Sequence, residues 1–361
     1  MKEKRTKTKR LLALDAARGL AVIGMYIQHF ALNERNSFVS GNTMILFMLC
    51  SGISYTLMGR KLLAGEETAE EFRTRVLARS VFIDLAGYVL ILLNGPFAVV
   101  LPAYAMLFSL ALILIRRPAG TLAAVSAALY AAAPPLMIVG LSLFADAALL
   151  SDIAGGPLSA LAWMPVFVAG MAIGRLNLKD SGVAKRMIAL GAAVLIPVKL
   201  FTVFALPTLR AAVENRMMQA PMAEADPWAV WPRNAQQVQW HLIFMDMPQG
   251  GSMFELLIGT GGSLIILGVL LLAEKKLAAW YRPFACAGRS ALTLYALQFL
   301  IAWGAALAGV EVTGLEIGSF LFGDVLVAAA AVAAGCLLAK LPNAPMGAAL
   351  RKFEGCFLGP R

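Results

Sequence analysis

The chain is short of charge. Asp, Glu, Lys and Arg make up 14% of its 361 residues, against about 25% in a soluble globular domain. With so few charges and so many continuous apolar runs, a soluble globular class is excluded. Histidine is scarcer still, present only as His29 and His241. Cysteine occurs four times, at Cys50, Cys286, Cys336 and Cys356. They form no CxxC pair and no Cys/His cluster, so neither a disulfide framework nor a zinc site is suggested, and no metal is expected. The sequence also lacks low-complexity segments, an internal repeat and a nucleotide-binding motif.

What it has in abundance is apolar residues, 60% of the chain, with a mean hydropathy of +0.76. Runs of 18 or more nearly uncharged residues are candidate transmembrane helices. Ten are read, at about 11–30, 42–59, 78–94, 97–115, 119–141, 157–174, 187–206, 253–273, 290–308 and 318–340. Turn residues separate them: Asn94-Gly95-Pro96 makes a tight turn and Gly155-Gly156-Pro157 a break, while Pro134-Pro135 should kink the fifth span.

The basic residues orient these spans. Alternate inter-span segments (to Arg18, 60–79, 116–117, 175–186, 275–289 and 340–361) hold 7, 5, 2, 4, 4 and 4 Lys and Arg, or 26 of the 31. Only Arg35, Lys199, Arg210, Arg216 and Arg233 fall elsewhere. Such an excess marks the cytoplasmic side and puts both termini there. The net charge of +10 and pI near 9.6 therefore reflect orientation. Spread over six segments, the basic residues make no nucleic-acid patch. Lys2 to Arg10 followed by an apolar run imitates a secretory signal. There is no small-residue cleavage site, however, and Asp15 and Arg18 sit in the apolar core, so an uncleaved first helix is expected.

The expected fold is all-α, a polytopic helix bundle of about ten transmembrane helices in the plasma membrane, built as one domain over residues 1–361. Residues 60–79 form a cytoplasmic loop in which Glu66-Glu67 and Glu70-Glu71 precede Arg73, Arg75 and Arg79, a pattern for a short solvated helix. Residues 207–252 form the one long external segment. Its Trp228, Trp231 and Trp240 either mark the membrane interface or belong to a lid.

The chemistry concentrates in residues 14–30, Leu-Asp-Ala-Ala-Arg-Gly-Leu-Ala-Val-Ile-Gly-Met-Tyr-Ile-Gln-His-Phe. Ionisable groups at membrane depth are costly and point to function. Arg18 and His29 lie 11 positions apart, which leaves them about 20° apart around a helix and about 16 Å apart along it. One long polar substrate would touch both. Asp15, three residues before Arg18, is placed to pair with it.

The same residues carry a resemblance. Leu14-Asp15-Ala16-Ala17-Arg18-Gly19-Leu20-Ala21 resembles the opening of the transmembrane acyltransferase superfamily. That group takes in the acyltransferase-3 membrane proteins, heparan-alpha-glucosaminide N-acetyltransferase and the bacterial YeiB-like proteins. Arg18 and His29 match the Arg-x10-His signature of the acyltransferase-3 branch. Phe47-Met48-Leu49-Cys50-Ser51-Gly52, Leu101-Pro102-Ala103-Tyr104-Ala105 and Ala169-Gly170-Met171-Ala172-Ile173-Gly174-Arg175 resemble the YeiB-like branch. So do Gly250-Gly251-Ser252-Met253-Phe254-Glu255 and Gly288-Arg289-Ser290-Ala291-Leu292-Thr293-Leu294-Tyr295. The likeness extends over nearly the whole chain, and the order and spacing of the motifs make it specific. The chain departs from the YeiB-like pattern at Gln249-Gly250, where such proteins often carry His-Ser, and at Ala344-Pro345-Met346-Gly347, where they often carry Gly-Pro-Leu-Glu.

The resemblance implies an acyl-CoA-dependent acyltransferase, with acetyl-CoA or another acyl-CoA as donor and a sugar, glycan or other small hydroxyl or amine as acceptor. Arg18 then binds a phosphate of the donor or, alternatively, only pairs with Asp15. Gly288, Arg289 and Ser290, at a cytoplasmic helix N-terminus, supply a second phosphate contact or a topology anchor. His29 is the candidate base, since neutral imidazole takes a proton near pH 7, and Asp15 and Arg18 complete the candidate catalytic set. His241, Asp246 and Gln249, on the external approach, are candidates for the acceptor, with Tyr104, Tyr295 and Gln298 as further hydrogen-bonding groups. Asp84 and Lys199, within spans, each need a partner, and each other is one option. A second reading is a small-molecule or ion transporter in which Asp15, Arg18, Asp84 and Lys199 line a path. A third is a noncatalytic membrane scaffold. The partners expected are the lipid bilayer and acyl-CoA, with a homodimer left open.

Overall fold

The structure is a computed structural model that describes residues 11–144, 147–219, 238–312 and 322–358. It is all-helical, 80% helix with no strand among the described residues. In chain order the helices are α1 (Leu12–Phe30), α2 (Asn42–Met58), α3 (Arg60–Leu63), α4 (Ala69–Leu92), α5 (Leu101–Leu110), α6 (Ala119–Phe144), α7 (Ala148–Ala154), α8 (Ala160–Gly174), α9 (Ser181–Phe204), α10 (Leu206–Gln219), α11 (Met253–Arg289), α12 (Ala291–Leu307), α13 (Phe322–Leu338) and α14 (Pro345–Leu358). Four helical segments are long and apolar enough to cross a membrane: Ser37–Met58, Ala119–Phe144, Ser181–Phe204 and Met253–Arg289. Leu101–Ile113, Ala160–Gly174, Ala291–Leu307 and Gly323–Leu338 are shorter apolar helices.

Local chemistry sets the helix ends. Thr68 and Glu71 form a reciprocal capping box that starts α4. Half of the expected 60–79 loop is therefore the first turns of that helix, and α3 takes up part of the rest. Asp180 caps α9 and Ser252 caps α11. α1 has no side-chain cap at Leu11; instead the Ala13 N–H donates to Glu274 Oε2 at 3.2 Å. α11 continues well past residue 273 and breaks helical geometry only at Leu277 (φ −111°, ψ 19°). α6 passes through Pro134-Pro135 as one helix. The 207–252 segment contains α10 and a 3₁₀ turn, Trp240–Phe244; Trp228 and Trp231 lie outside the described residues.

α1 runs through the middle of the bundle, packed chiefly along α11, with α2, α12 and α13 around it. Its crossing with α11 is a contact of backbone on backbone. A Cβ added at Gly19 would fall on the Phe284 carbonyl oxygen, and one at Gly288 on that of Asp15. α2 and α8 cross in the same way, with Gly52 against the Phe167 carbonyl and Gly170 against that of Leu49. Small residues that allow such approach are a main device for holding helices together where lipid removes the hydrophobic driving force. An aromatic cluster of Tyr55, Phe108 and Phe167 fills the space between α2, α5 and α8.

The crossing makes a signed prediction. Gly288→Ala forces two backbones apart and should destabilise the protein by about 1–3 kcal/mol or more. Gly262→Ala, at a helical position with open space around it, should stabilise by about 0.5–1 kcal/mol. Thermal unfolding in detergent, followed by fluorescence-detected gel filtration, measures both shifts.

Candidate functional site

Three cavities with shared walls run from one end of α1 to the other. The first is a vestibule of about 870 Å³, lined by Arg18, Arg60, Lys61, Arg75, Arg79 and Lys179 with Asp15 and Glu66. Arg18 and Arg79 belong also to the second, a cavity of about 180 Å³ that adds Gly288, Arg289, Tyr104 and Tyr295. Met25, Met44, Val100 and Tyr295 are common to the second cavity and a third, a chamber of about 30 Å³ lined by His29, Gln28, Trp163 and Gln249.

At the basic end, Arg18 pairs with Asp15 at 3.3 Å and donates through Nη2 to Ser54 Oγ. Ser54 in turn donates to the Cys50 carbonyl at 2.6 Å. Arg79 Nε donates to Glu354 Oε1 of α14 at 2.7 Å. Arg289 makes no ion pair among the described residues. A guanidinium carries five donors, so these contacts fix Arg18 and Arg79 while leaving N–H groups to spend on an anion.

At the opposite end, His29 Nδ1 lies 3.0 Å from Gln298 Oε1. Its ring stacks on Phe97 (centroids 4.1 Å apart, 8° between planes) and meets the edge of Phe299 at 6.2 Å. Two N–H groups near it are buried without a protein partner, Trp163 Nε1 and Gln298 Nε2, on residues that are each 0% exposed. A buried polar group without a partner requires a reason, and an acceptor oxygen brought by a ligand would supply one.

Gln249 reaches the chamber because of Glu255. The Glu255 carboxylate, buried in the first turn of α11, accepts from the Gln249 N–H at 2.5 Å and from the Gly251 N–H at 2.8 Å. This holds Gln249 at φ +61°, a left-handed conformation uncommon for a residue with a side chain. Gly41, at φ +74°, adopts a left-handed conformation that favours glycine, and its missing side chain leaves room for Glu255 Oε1.

The expected site residues divide. Arg18, Gly288, Arg289, Tyr104, Tyr295, His29 and Gln249 all line these cavities, and Asp15 lines the vestibule as the partner of Arg18. Ser290 is buried at the α11–α12 junction, where its carbonyl accepts from Leu294 N at 2.9 Å, and lines none of them. His241, on the 3₁₀ turn, and Asp246, whose charge acts on Glu255, do not line the chamber. Asp84 lies beside Asp152, near enough to feel its charge, while Lys199 is exposed on α9; the two do not pair. No group of three His, Cys, Asp or Glu that would hold a metal occurs among the described residues.

No protein-family model and no curated protein matches the chain.

Three contributors escaped the sequence reading. Glu255 had a signal, because Ser252-x-x-Glu255 has capping-box spacing. Phe97 and Trp163 had none, since only packing of distant segments brings them to His29. Replacing Glu255 by Ala leaves the Gln249 and Gly251 N–H groups without their acceptor. Leaving a buried donor without its acceptor costs about 1–3 kcal/mol, so amide exchange at both residues should accelerate by about 10–100-fold. Hydrogen–deuterium exchange resolved over residues 247–255 reads this directly.

Proposed function

We propose that this chain is a membrane-bound acyltransferase that carries an acyl group, acetyl by preference, from cytoplasmic acyl-CoA to a sugar or other small hydroxyl or amine acceptor near the external face. The observation that carries the reading is a row of three adjoining cavities along α1, sharing lining residues, with guanidinium groups at one end and an imidazole at the other. Arg18, Arg79 and Arg289 suit the phosphates of a CoA, which arginine binds through paired N–H groups. The roughly 16 Å from Arg18 to His29 along one helix is comparable to a pantetheine arm, so the thioester comes to rest beside His29. Imidazole takes the proton of the attacking hydroxyl or amine. The acceptor atom bonds to the thioester carbon, the C–S bond breaks, and the proton goes to the leaving thiolate. The unpartnered N–H of Trp163 is suited to the carbonyl oxygen as it gains charge. The motifs that resemble the transmembrane acyltransferase superfamily agree with this division of roles.

The reading includes ten crossings with both termini in the cytoplasm of a plasma-membrane protein. Support comes from the overlap of the ten apolar spans with α1, α2, α4, α5, α6, α8, α9, α11, α12 and α13, and from the basic residues gathered on alternate sides. Single cysteines at Glu66 and Glu34, both exposed, in a background lacking the four native cysteines, test it. An impermeant maleimide on sealed cells should label position 34 and spare position 66; the reverse pattern overturns the orientation.

Two substitutions separate binding from chemistry. Arg18→Ala should reduce the thermal stabilisation by CoA while the protein still folds. His29→Ala should keep that stabilisation and lower the release of CoA from acetyl-CoA, measured with a panel of sugar and amine acceptors, by about 10²–10⁴-fold. Turnover by His29→Ala within a fewfold of the native protein would remove the imidazole from the reaction. A native protein that CoA does not stabilise would favour the transporter reading.

A further inference from the structure

We infer that Gln298 is a positioning residue that fixes the tautomer and the ring orientation of His29, leaving Nε2 as the bare nitrogen available to the chamber. Neutral imidazole has one N–H and one lone pair, and the partner of one nitrogen dictates the state of the other. Gln298 Oε1, 3.0 Å from Nδ1, has lone pairs only, so Nδ1 carries the proton. Free histidine side chains favour the opposite tautomer, with the proton on Nε2, and a base in that form has its lone pair on the wrong side of the ring.

Three features make the arrangement rigid. Phe97 lies flat on the imidazole and Phe299 against its edge, so a half-turn of the ring about its Cβ–Cγ bond sweeps through packed aromatic atoms. Gln298 is fully buried, so water does not compete for its carbonyl. The helices themselves are in register: Tyr26 donates to the Leu294 carbonyl at 2.7 Å. Tyr26 lies three residues before His29 and Leu294 four before Gln298, and residues so spaced share a helix face. One hydrogen bond between α1 and α12 therefore lies a turn below the other. If the side-chain amide were turned over, its N–H would meet Nδ1 and impose the opposite tautomer, and the experiment distinguishes the two.

The tautomer itself rests on geometry, and only its catalytic consequence rests on the acyltransferase reading. The chain has two histidines, so His241→Gln leaves His29 alone. Imidazole ¹⁵N spectra of that protein, labelled at histidine and held in lipid nanodiscs above the pH at which the ring protonates, report each nitrogen as protonated or bare. The expected result is protonated Nδ1 and bare Nε2, shifting to protonated Nε2 in Gln298→Leu and unchanged in Gln298→Glu, which keeps the acceptor. A bare Nδ1 in the otherwise native protein overturns the inference whether or not any variant folds. An unaltered spectrum in a folded Gln298→Leu overturns it as well. In turnover, Gln298→Leu should lower kcat by about 10–100-fold, as loss of an orienting partner does elsewhere, with KM for acyl-CoA within about twofold and with recovery in Gln298→Glu. An enzyme assay that is silent for the native protein counts against the acyltransferase reading and leaves the spectra to decide the tautomer.

Discussion

The close crossing of α1 and α11 at Gly19 and Gly288 is the contact on which the site depends. Because neither residue has a side chain, the last turn of α11 lies directly against the first turns of α1. Arg289 is thereby brought to the same cavity as Arg18. The junction at Ser290 then turns the chain into α12, whose carbonyl at Leu294 takes the Tyr26 hydroxyl and whose Gln298 meets His29. A wider crossing would separate both pairs together, since α12 follows α11 after a single residue.

Burial places the chemistry on the inner helices. Of the apolar stretch in Ser37–Met58, 67% is buried within the protein, against 17% in Ser181–Phe204. α2 thus walls the cavities, while α9 presents Leu190, Ile196, Leu200, Val203 and Phe204 outward and holds to the bundle chiefly through its contact with α11. Ionic groups inside an apolar bundle are tolerated when paired and hydrogen-bonded. Arg18 meets that condition through Asp15 and Ser54, and Arg79 through Glu354. The cavity at the His29 end is lined by aromatic, amide and imidazole groups, so the two ends of α1 differ in the groups they present: guanidinium groups at one, uncharged hydrogen-bonding side chains at the other.

Much was legible in the sequence by itself. Composition and long apolar runs determined an all-helical chain with helices fit to cross a membrane, because lipid leaves the backbone no partner outside a helix or a closed barrel. The spacing of Arg18 and His29 put them on one face of one helix, because helix geometry is a local property of the chain. The role of Glu255 was not identified, although its spacing from Ser252 carried a capping signal. Packing between helices settles which distant groups meet those two residues: Gln298, Phe97 and Trp163 around His29, Ser54 and the glycine crossing around Arg18, and the placing of His241 and Asp246 away from the chamber. These depend on helix register and crossing, fixed by side-chain packing and backbone approach between segments far apart in the chain, and periodicity along one helix carries no information about its neighbour.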